Sequence, residues 1–302
     1  MSQAPNPFCN RGVITDPDDF FGRENQIAEI ITRLGTMQST SVVGERRIGK
    51  SSLLYHLCQT GVRRLNDESY RFCYVDLQDA HYHTALGFFQ AVLHKLEAPA
   101  DAVKQANSLN GNLVAFSDQI DGLERAGQRL VFCLDEFENT FKHGDQFSDD
   151  FFNHMRSQLS LRKMAFVTAT QRGLQSLSLE GKLTSPFYNV FTVVELKEFT
   201  DDETQEFLMF YDKSVSFGDE ELTFILSNVE THPLKLQILC DWVVRNRQRG
   251  LDEETLVEEI AREYGNFLIG RFDRKKLRKA KRLVSPDNIK KLLDAIKSLR
   301  GK

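Results

Sequence analysis

The stretch Gly44-Glu45-Arg46-Arg47-Ile48-Gly49-Lys50-Ser51 fits the pattern G-x-x-x-x-G-K-[ST]. Glycines at its two ends let the backbone curl and turn its N–H groups inward, which makes a cradle for a phosphate chain. Lys50 is placed to reach the β- and γ-phosphates, and the Ser51 hydroxyl to ligate Mg²⁺. A helix beginning at Lys50 adds its positive end to the same place. A second group of residues lies at Leu130–Glu136, where the apolar run LVFCL ends in Asp135-Glu136. A buried strand that delivers two carboxylates at its C-terminal end suits a metal-dependent hydrolysis. Asp135 would hold Mg²⁺, mostly through water, and Glu136 would act as general base on the attacking water. The third group is Thr168-Ala169-Thr170-Gln171-Arg172, at the end of the next strand. Thr170 could orient water there. Arg172 could contact the γ-phosphate and report its loss, or it could be a solvated arginine on a polar loop.

These residues need a frame. Ser39–Val43 is a β-branched run before the glycine turn, and Lys50–Gln59 has Leu53, Leu54 and Leu57 on one helical face. Further strands are expected at Tyr70–Leu77, Leu130–Leu134, Met164–Thr170 and Val190–Leu196. Helices are expected at Glu24–Leu34, Ala85–Leu96, Leu113–Arg125 and Asp149–Leu161. Strands alternating with helices imply an α/β fold with a mostly parallel five-stranded sheet. After residue 200 only helical periods appear: Asp201–Tyr211, Gly218–Val229, Pro233–Arg245 and Glu253–Tyr264. Thr200–Glu203 has the form of a capping box. The expected organisation is an extended lead-in over 1–18, a P-loop NTPase domain over 19–199, a small helical lid over 200–270 and a basic, partly helical tail over 271–302. Ser285 would cap the tail's helix, with Pro286 at its first position.

Composition narrows the classes. The 302 residues are 41% hydrophobic and 27% charged, ordinary values for a globular chain. No run of about 18 apolar residues suggests a membrane span. The first residues do not have the form of a secretory leader. Five scattered cysteines without a C-x-x-C pair read as buried small side chains in a reducing cytoplasm. Net charge is −4, but residues 271–302 hold thirteen Lys or Arg against three Asp, leaving −14 on the preceding 270. Such a tail is either a solvated extension, a nucleic-acid contact or a seat for another anionic partner. The cluster Phe137, Phe141, Phe151 and Phe152 reads as core or subunit contact rather than a base-stacking platform. Asp76 is either a support for the site or a turn residue.

A glutamate directly after the Mg²⁺ aspartate, with one strand between the two motifs, resembles the ATPases with an additional strand and a catalytic glutamate. Within them the chain resembles AAA+ ATPases of the origin-recognition type and the related STAND signalling ATPases, over about residues 18–248. Phe20-Phe21-Gly22-Arg23-Glu24 is similar to that family's opening motif, which implies that Phe20 and Phe21 flank adenine and that Arg23 belongs to the nucleotide site. Glu45 through Ser52, continuing into Leu53 and Leu54, is similar to the phosphate loop of a bacterial AAA-like subgroup. Thr231-His232-Pro233 falls where STAND proteins touch nucleotide from the lid, implicating Pro233, although Thr231 stands where glycine is usual. Arg156 and Arg162 are candidates for an arginine finger or simply a solvated helix face. The resemblance implies ATP and ADP as ligands with Mg²⁺, slow hydrolysis, and a switch that assembles with itself or with a partner protein in the ATP state. A nucleic-acid-associated ATPase, similar to origin-binding or transposition regulators, is the alternative, and it rests on the basic tail.

Overall fold

The computed structural model describes residues 6–98, 109–228 and 231–246. The basic tail 271–302 and the helices expected over 253–264 and from Ser285 lie outside the described residues. The chain divides into two compact units, one of them Val13–Leu196. Its sheet consists of β1 (Ser39–Gly44), β2 (Tyr70–Asp76), β3 (Arg129–Asp135), β4 (Met164–Thr170) and β5 (Phe191–Leu196). All pairings are parallel, in the order β2-β3-β4-β1-β5. The α/β P-loop NTPase fold is therefore as expected, and β4 lies between the strand of the phosphate loop and the acidic strand.

Alternation along the strands divides the core in two. Leu130, Phe132 and Leu134 of β3, with Met164 and Phe166 of β4, face a layer that includes Phe88, Phe89, Phe116, Phe151 and Phe152. Those rings belong to α3 (Ala85–Lys95), α4 (Leu109–Arg125) and, after the short α5 (Glu138–Lys142), α6 (Asp149–Ser160). Val131 and Cys133, with Ala165 and Val167, face Ile27, Ile30, Leu53, Leu54 and Leu57 on the other side. These last belong to α1 (Glu24–Leu34) and α2 (Lys50–Leu65). The phenylalanine cluster is core: Phe137, Phe151 and Phe152 are each at most 1% exposed. Asp76 is a turn residue whose Oδ1 accepts from the Gln78 N–H at 2.9 Å. Among the described residues no helix is long and apolar enough to cross a membrane.

Two short helices go beyond the sequence reading, α5 and α7 (Leu174–Glu180). They are 5 and 7 residues long, at most about two turns, too short to show a 3.6-residue period. Helix α2 continues past Gln59 through Thr60-Gly61, both weak helix formers, to an Asn66 cap at φ 51°. Packing overrides propensity there, because Gly61 sits directly against the Phe72 ring of β2.

The described residues of the other unit are 6–12, 197–228 and 231–246. Its helices are α8 (Asp201–Val215), α9 (Asp219–Asn228) and α10 (Pro233–Asn246). The capping box at Thr200 forms, with Glu203 N–H donating to Thr200 Oγ1 at 3.1 Å and Thr200 N–H donating to Glu203 Oε2 at 2.8 Å. Residues 6–12 pack against these helices. Phe8 is fully buried among Phe207, Tyr211 and Phe217. Buried Asp241 accepts from Asn6 at 2.8 Å and from Arg245 at 2.7 Å, and pairs also with Arg11.

Two helix-interior glycines give a paired test. A methyl at Gly61 would lie 2.3 Å from the Phe72 ring, whereas one at Gly122 of α4 would meet nothing within 4 Å. Gly61→Ala is expected to destabilise by about 1–3 kcal/mol through overpacking. Gly122→Ala is expected to stabilise by about 0.5–1 kcal/mol through helix propensity. Urea midpoints at unchanged slope would measure both.

Candidate nucleotide-binding site

Strand β1 ends at Gly44, which has no room for a side chain. A Cβ there would sit 2.7 Å from the Leu196 carbonyl oxygen of β5 and 2.9 Å from the Ile48 side chain. The loop then passes through Arg47 at φ 65° and Gly49 at φ 104° into α2. At Gly49 an added Cβ would meet nothing within 4 Å, so the loop is open on that side. Gly49 precedes α2 without any side-chain cap, leaving the first-turn N–H groups available to an anion. Glu45, Arg46 and Arg47 are exposed, while Ile48 is buried and pins the loop to the core. The loop thus fits a phosphate chain by its open cradle and its uncapped helix start.

Lys50 is only 8% exposed. Its Nζ donates to the carbonyls of Gly44 and Glu45, each at 2.9 Å. Burial pulls this ammonium below the ordinary lysine range, while Glu138, Glu136 and Asp135 act in the opposite direction. Ser51 is half-buried beside it. Ser52 is buried, and its Oγ accepts from the Ile14 N–H at 3.0 Å.

Asp135 closes β3 and is 4% exposed. Its Oδ2 accepts from the Tyr74 hydroxyl at 2.9 Å and its Oδ1 from the Glu136 N–H at 2.9 Å. Burial and the adjoining Asp135 carboxylate push the Tyr74 phenol well above its ordinary value, so it remains a donor. Glu136 has φ 50°, a left-handed conformation that a non-glycine residue adopts at a cost. Its carboxyl is half-buried and is lifted above the usual carboxylate range by burial, then by Glu138 and Asp135.

On β4, Thr170 is fully buried and donates from Oγ1 to the Arg172 carbonyl at 2.8 Å. Its proton is therefore committed to the turn. Arg172 is exposed and forms a bidentate pair with Glu180 of α7, with Nη2 2.7 Å from Oε2. The Phe20 ring stacks on His56 at 4.4 Å, and Phe21 is half-buried. Gly22 and Arg23 both have positive φ, 78° and 67°. Arg23 is buried and donates to the Ile48 carbonyl at 3.3 Å, so it braces the phosphate loop from below. Arg156 is half-buried and Arg162 exposed just past the end of α6. Pro233 opens α10 in the other unit, after His232, whose Nδ1 accepts from the Leu234 N–H at 3.3 Å.

The structure brings Lys50, Asp135 and Glu136 into one electrostatic neighbourhood and adds Glu138, which sequence reasoning passed over. Glu138 opens α5 and is 4% exposed. Its only sequence signal was a third acid two residues after Glu136.

Comparison with known proteins follows the same lines. Residues 28–249 match the Novel STAND NTPase 2 family. No curated protein matches the chain. The fold is similar to that of the Walker-type ATPase PABY2304 of Pyrococcus abyssi, at TM-score 0.62 and 17% identity over 90% of this chain and 79% of that one. It is also similar to the Aeropyrum pernix ORC2 protein in its ADPNP-ADP complexes, at TM-score 0.58 and 12% identity over 92% and 83% of the two chains. For Cdc6p of Pyrobaculum aerophilum the TM-score is 0.57, with 14% identity over 98% and 84%. At these identities the structures show a shared fold alone, the α/β P-loop NTPase fold. The family match spans most of the chain and includes the phosphate loop and the acidic strand, so this protein belongs to the Novel STAND NTPase 2 family.

Proposed function

We propose that this chain binds ATP with Mg²⁺ at Gly44–Ser51 and hydrolyses it slowly, as the driver of a conformational switch. The observation that supports this most is the gathering of buried Lys50 with Asp135 and Glu136 at the carboxyl ends of β1 and β3. Lys50 is held by two carbonyls of its own loop, and a phosphate chain in the cradle would draw the ammonium off them. Ser51 and Asp135 would hold Mg²⁺, which when bound neutralises charge on the β- and γ-phosphates. Tyr74 orients the Asp135 carboxylate for that task through its hydrogen bond to Oδ2. Glu136 takes the proton of the attacking water, and its raised basicity suits a general base near neutral pH. The chemistry is positioning and charge neutralisation, without a covalent intermediate.

In this reading Phe20 and Phe21 flank the adenine, Arg23 belongs to the nucleotide site through the phosphate loop that it braces, and Pro233 belongs to the lid. Loss of the γ-phosphate changes which conformation the chain prefers, and with it the surface offered to a second copy or a partner protein. The net charge of +10 on residues 271–302 supports a second reading, an ATPase associated with nucleic acid. The similarly folded Aeropyrum pernix ORC1 protein was solved in complex with DNA. Binding to DNA or RNA that weakens with salt and vanishes on deleting 271–302 would favour that reading over ATP-dependent assembly.

Three outcomes are expected. Lys50→Ala loses ATP binding by at least about a hundredfold, since a cationic phosphate ligand is removed outright; retained micromolar affinity in a fluorescent-nucleotide titration would refute the loop assignment. Glu136→Gln binds ATP but turns over at least roughly a hundredfold more slowly, the scale of a general base; normal phosphate release would remove Glu136 from the mechanism. The same variant also has a signature in the absence of nucleotide. The folded-state value of Glu136 is raised, so its ionised form lowers stability above that value, and the cost vanishes as pH falls below the unfolded value of about 4.3. Glu136→Gln should therefore melt higher than the parent near neutral pH, with the gain shrinking on acidification.

A further inference from the structure

Glu138 has no role in the mechanism above. It is 4% exposed, and its Oε2 has no hydrogen-bond partner. A carboxylate in such a place is unfavourable unless a cation reaches it. Glu138 lines a cavity of about 260 Å³ together with the apolar Phe141 and Leu177 and the charged Lys142, Arg172 and Glu180. Two cations thus share the cavity with the buried acid. The Lys142 ammonium donates to Asn139 Oδ1 at 3.0 Å. The Arg172 guanidinium is paired with Glu180, in a bridge whose two side chains are each 56% exposed. A pair so open to water contributes little and is readily exchanged. The backbone of Arg172 is fixed by the Thr170 hydroxyl, so only its side chain needs to swing.

We propose that Glu138 is a positioning residue for Arg172, whose guanidinium exchanges Glu180 for Glu138 when a γ-phosphate occupies the loop and returns to Glu180 when it leaves. The inference rests on the nucleotide site proposed above and names how that site distinguishes ATP from ADP. Glu138 opens α5 three residues after Asp135, and Arg172 leaves β4, the strand between the phosphate-loop strand and the acidic strand, so the cavity they share lies at the sheet edge that carries the loop. A planar guanidinium with five donors can bond a carboxylate along one edge and a phosphate along another, which a compact ammonium such as Lys142 cannot. The terminal phosphate also brings negative charge towards a buried carboxylate. The combination is tolerable only with a cation between them, and ADP makes no such demand.

The test measures affinities of the full chain for ADP and for adenosine imidotriphosphate, together with melting in the absence of nucleotide. Glu180→Gln is expected to widen the preference for the triphosphate about threefold or more. Glu138→Gln should narrow it about tenfold with ADP affinity within about twofold, and should add nothing in an Arg172→Ala background. Nucleotide-free Glu138→Gln should give a cooperative melt, so that a changed preference is read on a folded chain. An unmoved preference in either glutamate variant, equal weakening of both nucleotides, additivity with Arg172→Ala, or failure of Glu138→Gln to fold overturns the proposal. Lys50→Ala separates the two readings. If it loses both nucleotides while Glu138→Gln leaves the preference unmoved, only the inference fails. If it retains them, the loop reading beneath fails.

Discussion

An ammonium taken out of water must be compensated, and at Lys50 that requirement organises the sheet unit. Two loop carbonyls supply hydrogen bonds, and carboxylates from β3 and α5 supply opposing charge. None of these groups is near Lys50 in sequence except the loop itself. They converge because β4 is inserted between β1 and β3, which sets the lateral spacing of loop and acids, and because parallel register brings all the strand ends to one edge. The surrounding carboxylates in turn depend on Lys50. Burial and mutual repulsion lift Glu136, and Lys50 is the first counterweight to that lift. Cation and acids are each tolerable because the other is present, which ties the architecture of the sheet to the chemistry of the site.

Much of this was legible in the residues. The β-branched run of β1, the apolar run before Asp135-Glu136 and the run Met164–Thr170 each declared a strand, and Met164–Thr170 has the very bounds expected. The expectation of one strand between the two motifs followed from their family pattern, and the strand order agrees. What stayed hidden depended on burial. Glu138 in sequence is one more acid in an acidic turn, and only its seclusion makes it consequential. Thr170 illustrates the converse. Its place at the strand end was readable, but its donation to the Arg172 carbonyl depends on a turn that no periodicity encodes. The short helices α5 and α7, which shape the cavity beside the site, fell below the length at which a helical period can be detected.

The segment Phe20–Glu24 supports the phosphate loop in a way its residue types alone do not declare. Its glycine and arginine both take left-handed backbone, and the arginine side chain turns beneath the phosphate loop to hold the Ile48 carbonyl. A stretch noticed for its aromatic residues thus has a structural duty through its cation. That duty is to keep the loop in place while Ile48 anchors it in the core. The same segment reaches α2 a second time through Glu24, which pairs bidentately with Arg64.

Gly44 is under two unrelated demands. As the first residue of the phosphate loop it must let the chain turn, and as the neighbour of Leu196 it must leave space for the last residue of β5, immediately before the chain departs for the helical unit. Replacing it would disturb how the sheet closes as well as what the loop can hold. Any loss of nucleotide caused at position 44 is therefore ambiguous between chemistry and architecture. The loop's two glycines are unequal in this respect. Gly49 is constrained by its backbone angle and faces open space, whereas Gly44 is hemmed in by Leu196 of the edge strand β5 and by Ile48 of its own loop.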